Sequence, residues 1–351
     1  MSKKELRNSI IKWAVIFLLV YLAYIWQQDT VDKALAIIKN MPVSSTIMAA
    51  IMSLVYFFFE GAIISRMTMF EKNKMTLWQG ICCGVYCAFY KAATLGSASG
   101  FAEIYYMNSC GVPVSKGTGM TLTQYTFQKI AIGLMGAVSF VTLLLTHEKG
   151  ITKYADYMAL GLVAITVIVA FLMFLAASKW LADLILKLAR KILKEGSRFH
   201  DKLELIETNV TAFNEEGRNI LGRKKEAVIF LLLNILKLFS WYTIPWIVLS
   251  PEYELNPVRI VMLMALTNML GVVMIAPAGL GTLEFVFITV FTTFITNESA
   301  AAAAILYRFY SLIFPFIIGA FFVAANKKSR NAAKNAELVD IEEEADLKNC
   351  G

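Results

Sequence analysis

Residues Met274–Phe287 read MIAPAGLGTLEFVF. Apolar residues crowd both ends of the stretch. Its middle holds Pro277, Gly279, Gly281 and one carboxylate, Glu284, which nothing nearby in the sequence neutralises. A charge beside helix breakers in so apolar a setting needs a reason, and the rest of the chain supplies the setting. Of 351 residues, 58% are hydrophobic and only 17% are charged, with a mean hydropathy of +0.61. Soluble domains run near 45–50% apolar and about 25% charged. Several apolar runs approach the roughly 20 residues that a bilayer-spanning helix needs. The chain is therefore expected to be an all-α, polytopic transmembrane helix bundle.

Working outward, the start MSKKELRNSIIKWAVIFLLVYLAYIW has a basic end and then an apolar run. The run closes on Trp26-Gln27-Gln28 with no small-residue cleavage site, so it is expected to be a retained first span rather than a signal peptide. Further spans are expected at Val43–Ile64, Leu77–Leu95, Met120–Thr146, Tyr157–Ala177, Val228–Leu249, Pro257–Ile275 and Ala300–Ala325. Lys179–Glu226 is rich in charge and repeats apolar residues at helical spacing: Trp180, Leu184, Leu188 and Ile192. It is expected to lie along the membrane surface or to form a cytoplasmic hairpin. Its basic character is what cytoplasmic loops carry, so nucleic acid need not be invoked. Cys82, Cys83, Cys87, Cys110 and Cys350 lack zinc-ligand spacing, and His147 and His200 are the only histidines. No metal, no cofactor and no catalytic residue are expected.

The charge distribution poses a parity problem. Lys/Arg-rich short loops belong in the cytoplasm, which places Lys3–Lys12, Arg66–Lys74, the connector and Lys327–Arg330 on one side. Five full spans before the connector would put it on the other. A short helix over Phe101–Val112, after a dip at Gly96–Gly100, supplies the missing crossing. The same device fits downstream, where a short helix over about Leu283–Ile295 follows the opening stretch. Gly100-Phe-Ala-Glu103 matches Gly281-Thr-Leu-Glu284 in place and pattern. The arrangement predicts two glycine-rich broken or re-entrant helices in an inverted repeat. The expected organisation is one multi-pass domain over residues 1–326 and a disordered acidic tail over 327–351. Within the domain, repeats at about 43–177 and 227–325 are joined by a basic amphipathic connector, 178–226. The N-terminus, connector and tail are expected to be cytoplasmic.

Broken helices aim backbone N–H groups and a partial positive charge inward, which suits an anion such as a lipid phosphate. Gly100, Gly279 and Gly281 let the backbone turn there. Glu103 and Glu284 either cap the short helices or bind a cationic group. Arg308, with Tyr307 beside it, sits near mid-span. It either presents a phosphate-binding fork or forms an internal salt bridge with Glu284. Gln124, Gln128 and Lys129 form a polar stripe that is either helix glue or cavity lining. Glu60, Lys91 and Lys237 also fall in apolar runs, and Lys91 and Lys237 are expected to snorkel to the interface.

APAGLGTLE, followed by ILYRFYSLIFPFIIGA, resembles the transmembrane domain family of lysylphosphatidylglycerol synthases. That family holds the flippase part of the multiple peptide resistance factor and its stand-alone relatives. The upstream stretch LGSASGFAEIYYMNSCGVPVSKGTGMTLTQYTFQK is similar to the family's other glycine-rich motif, with Leu95 and Gly100-Phe101 where that motif has a proline and a Gly-Gly pair. The likeness covers nearly all of residues 10–325. It implies a lipid translocator in the cell membrane, whose cargo in the parent case is an aminoacylated phosphatidylglycerol. The parent's soluble lysyl-tRNA-dependent transferase domain has no counterpart in the polar stretch after Ala325, so transferase activity is not expected. The partners implied are a membrane phospholipid and a separate lipid synthase, with the oligomeric state left open. Two rivals stand beside this reading. One is a lipid-modifying membrane enzyme with Glu284 or Glu103 as general base. The other is a non-transporting scaffold for a synthase.

Overall fold

A computed structural model describes residues 28–94, 96, 98–146, 155–192, 200–273 and 281–325. The expected first span, the acidic tail, Leu95, and the Pro277 and Gly279 part of the opening stretch lie outside the described residues. Among the described residues every regular element is helical. In chain order these are α1 (Gln28–Lys39), α2 (Val43–Met67), α3 (Leu77–Ala93), α4 (Ser99–Ser109), α5 (Val114–Leu145) and α6 (Ala155–Ala177). Then come α7 (Lys179–Ile192), α8 (His200–Gly222), α9 (Lys224–Tyr242), α10 (Ile244–Leu249), α11 (Pro257–Val273) and α12 (Thr282–Phe291). The last, α13 (Asn297–Arg308), passes through a π turn at Phe309–Ile313 and runs on to Ala325.

Among the described residues, five helical stretches are long and apolar enough to cross a membrane: Val43–Phe70, Val114–Leu145, Ala155–Ala177, Lys224–Leu249 and Asn297–Ala325. Local chemistry sets their ends. Pro42 and Pro113 precede α2 and α5, where the missing N–H costs nothing. Thr76 and Gln79 cap α3 reciprocally: Thr76 N donates to Gln79 Oε1 at 2.8 Å, and Gln79 N donates to Thr76 Oγ1 at 3.2 Å. Thr296 Oγ1 accepts from Ser299 N at the start of α13.

The π turn has a local cause. Phe314 N donates to Phe309 O, a one-residue-wider step than in an α-helix. Pro315, next in line, has no N–H to offer Tyr310 O. Ser53 Oγ on α2 donates to that carbonyl at 2.6 Å, so the released acceptor is satisfied and α13 is tied to α2.

Side-chain pairs place the helix ends on two opposite faces of the bundle. On one face, Arg66 at the end of α2 donates from Nε and Nη2 to Glu226 at the start of α9, at 2.6 and 3.1 Å. On the same face Asn73 Nδ2 donates to Gly111 O at 3.0 Å, and Lys116 lies 3.9 Å from Glu71. The chain leaves that face in α3, and α4 brings it back. On the opposite face Lys33 of α1 meets Glu298 at 3.4 Å, Tyr253 Oη donates to Ser299 Oγ at 3.0 Å, and the Arg259 guanidinium covers the Phe294 ring at 4.8 Å. The chain leaves this second face in α11 and returns to it at the end of α12. The pairs α3–α4 and α11–α12 each pack together in the bundle, with α4 and α12 the shorter members.

The helices approach closely through small residues, as apolar bundles without a water-driven force must. A Cβ added to Gly61 would fall 2.5 Å from the Ile81 nitrogen, so α2 and α3 pack backbone against backbone. Gly136 on α5 faces Met269, and Gly161 on α6 faces Leu270. α7 and α8 form a hairpin pinned by Arg190 and Glu207 at 2.7 Å. α8 also packs into the bundle: Gly119 of α5 faces Ala212, Gly217 faces Ala176 of α6, and Asn214 Nδ2 donates to Leu175 O at 2.8 Å.

Candidate functional site

A cavity of about 310 Å³ opens inside the bundle where α4 begins. Ser99, Gly100 and Glu103 of α4 line it, facing Glu60 of α2, Lys91 of α3, and Gln124, Gln128 and Lys129 of α5. Trp241 of α9, Ser311 within the π turn and Pro315 beyond it close it. The walls from α2, α5, α9 and the last helix lie within long apolar helices. Glu60 stands six residues inside Arg66, about 9 Å at the rise of an α-helix. Charges at such depth are expensive and face partners or cavities.

The charges here do both. Lys237 of α9 is fully buried, and its Nζ donates to Glu60 Oε2 at 2.7 Å while lying 5.5 Å from the Tyr56 ring. The expectation that Lys237 snorkels is therefore overturned: its ammonium points inward to a carboxylate. Lys91 does not snorkel either. Its Nζ sits 5.6 Å from the centre of the Trp241 ring, which stacks on Tyr56 at 3.5 Å. Lys129 Nζ lies 4.7 Å above the Tyr125 ring. Among the described residues neither Lys91 nor Lys129 has a carboxylate at ion-pair distance. Ring faces attract ammonium groups more weakly than a carboxylate does, so both cations remain open to an anion in the cavity.

Acceptors on the same wall are also unmatched. Glu103 Oε1, Gln124 Oε1 and Thr121 Oγ1 are buried without a hydrogen-bond partner among the described residues. Buried polar atoms are normally bonded, and orphans together mark a place where water or a ligand completes the set. Of the two readings of the Gln124, Gln128 and Lys129 stripe, the structure puts all three on the cavity wall.

The residues singled out in the sequence fall in two places. Glu103, Gly100, Gln128 and Lys129 meet in the cavity. Glu284, Gly281, Arg308 and Tyr307 do not line it. Arg308 turns its fork onto Glu284, from Nε to Oε1 and from Nη2 to Oε2 at 3.3 Å. Gly281 adopts φ +80°, a conformation that side chains disfavour, and its N–H donates to Glu284 Oε2 at 2.9 Å. Glu284 therefore caps α12 and pairs with Arg308. Tyr307 is buried and packs near Phe287. Gly279 lies outside the described residues.

Glu60 and Lys237 carried a sequence signal, as ionisable residues inside apolar runs, but their pairing spans 177 positions and no pattern announces it. The Trp241–Tyr56 stack had no signal at all, since aromatics in spans are ordinary.

Comparison with known proteins adds two findings. The family model described as the lysylphosphatidylglycerol synthase TM region matches residues 9–319. A UPF0104 membrane protein of Methanocaldococcus jannaschii is 23% identical over 332 residues, covering 91% of this chain and 95% of the relative.

Proposed function

This chain belongs to the lysylphosphatidylglycerol synthase transmembrane-region family, and from that premise we propose that it moves a phospholipid across the cell membrane, with the head group passing through the α4 cavity. The observation that carries this reading is the pair of cavity lysines, Lys91 and Lys129, which lack carboxylate partners among the described residues beside the N-terminal end of α4. Two ammonium groups, the Gln124 and Gln128 amides and the first N–H groups of a helix suit a phosphate. Acyl chains stay in lipid while the charged group crosses. The cargo by family likeness is an aminoacylated phosphatidylglycerol. In this reading α3–α4 and α11–α12 are the broken arms of an inverted repeat, and Arg308 with Glu284 locks the second arm while the first lines the site. The N-terminus, the α7–α8 hairpin and the tail are cytoplasmic, as their Lys/Arg content suggests.

The test is a leaflet-resolved assay in proteoliposomes containing a tail-labelled fluorescent phosphatidylglycerol. Protein-dependent loss of inner-leaflet protection from dithionite, with the probe's mass unchanged, is the expected result. Lys129→Ala should slow it about tenfold, the scale of one lost charge-assisted contact of about 1.4 kcal/mol. A probe altered in mass would favour a lipid-modifying enzyme, and an inert protein would favour a scaffold.

A further inference from the structure

The two short return helices each carry a glutamate near the start, and the two carboxylates meet opposite fates. Glu284 is held by Arg308 and by the Gly281 N–H. Glu103, on the fifth residue of α4, does not cap it: the N–H of the N-cap residue Ala98 donates to Thr94 Oγ1 at 3.0 Å. Its Oε1 is buried without a hydrogen-bond partner among the described residues.

The charged and titratable groups around Glu103 come from every wall. On α2, Tyr56 and Glu60 face the cavity, and Glu60 adds a second negative charge. Cys83 and Cys87 of α3 lie near it, with Lys91 farther along the same helix. Tyr125 and Lys129 stand on α5 beside the Thr121 hydroxyl. Lys237 of α9 is the cation that acts on it most directly, yet that ammonium is committed to Glu60 at 2.7 Å. Lys91 and Lys129 rest over aromatic rings. Two carboxylates thus share one committed cation, and a buried carboxylate without its own counter-charge is strongly disfavoured. A proton supplies what the protein does not.

We propose that Glu103 is a proton-binding site that couples head-group binding in the α4 cavity to the proton gradient across the membrane. The anion and the proton bind together. A phosphate drawn to Lys91 and Lys129 adds negative charge beside Glu103 and favours the protonated carboxyl. By reciprocity a protonated Glu103 favours the phosphate. The proton bonds to a carboxylate oxygen and leaves as the phosphate leaves, with no covalent change in the lipid. The downstream counterpart cannot serve this way, because Glu284 is already engaged by Arg308 and by the Gly281 N–H.

The inference rests on the translocator reading, and two measurements keep their failures apart. In proteoliposomes with an imposed pH difference, the tail-labelled phosphatidylglycerol should accumulate several-fold in the leaflet facing the alkaline side. Glu103→Gln, which mimics the protonated group, should lose the response to the gradient. Glu103→Asp should recover part of the response. An undiminished response in Glu103→Gln, or none in the parent protein while lipid still moves, overturns the proposal. If no lipid moves, the translocator reading has failed, and infrared spectroscopy decides the proton site alone. A carboxylic-acid carbonyl band at neutral pH that vanishes in Glu103→Gln upholds it, and a spectrum unchanged by the substitution overturns it.

Discussion

Removing one end of the Lys237–Glu60 pair leaves the other charge buried and unmatched. Such a loss typically costs about 3–5 kcal/mol, whereas replacing both ends with apolar groups is often neutral. Lys237→Ala should therefore lower the unfolding midpoint in detergent sharply, and Lys237→Leu with Glu60→Leu should restore most of it. A double variant as unstable as Lys237→Ala would mean that the pair is not the cause. The Arg308–Glu284 pair is less deeply buried, with side chains 16% and 25% exposed, so Arg308→Ala should cost less, about 1–3 kcal/mol. Arg308→Lys should recover only part, since lysine cannot hold both carboxylate oxygens in one plane. Equal stability of the lysine and parent proteins in the same unfolding assay would refute the fork. At this scale the sequence exposed the candidates, because an ionisable residue in an apolar run stands out. It left Arg308 open between substrate and Glu284, since only the coordinates say where the fork points.

Between elements, close approach and burial dominate. Gly80 on α3 faces the Gly61 carbonyl of α2 so tightly that a Cβ has no room. Gly80→Val should push the two helices apart and destabilise by about 1–3 kcal/mol or more, seen as a lower melting temperature and a displaced cavity wall. An unchanged melting temperature would contradict the contact. The α5–α8 junction gives a pH signature outside the spans. Burial pushes the Glu216 carboxyl on α8 above its ordinary range, an effect that Lys116, 3.8 Å away, only partly offsets. The folded state then holds the proton more tightly than the unfolded chain. Its stabilising effect is full below the unfolded carboxyl value of about 4.3 and is lost as pH rises through the raised folded value. Glu216→Gln should accordingly gain more stability over the parent at pH 8 than at pH 4. Denaturation midpoints at the two pH values check the sign, and a variant that gains more at pH 4 would reverse it.

Across the whole molecule the proposed topology puts the α7–α8 link inside and α1 outside. A single cysteine at Ser197 should resist a membrane-impermeant maleimide in intact cells, while one at Asp32 should react. Equal labelling at both would sink the orientation. What the sequence by itself determined is the class of solvent around the chain and a bundle of long apolar helices. Apolar run length and helix-breaking residues act locally, so one chain segment carries the whole signal. The pairing of charges was a matter for tertiary structure. Glu60 found Lys237 because α2 and α9 pack side by side, and Glu284 found Arg308 because α12 and α13 do. Two superficially matching glutamates were thereby given different surroundings. One was neutralised at a helix start, and the other was left facing a cavity, because electrostatic environment is set by neighbours in space and not by neighbours in the chain.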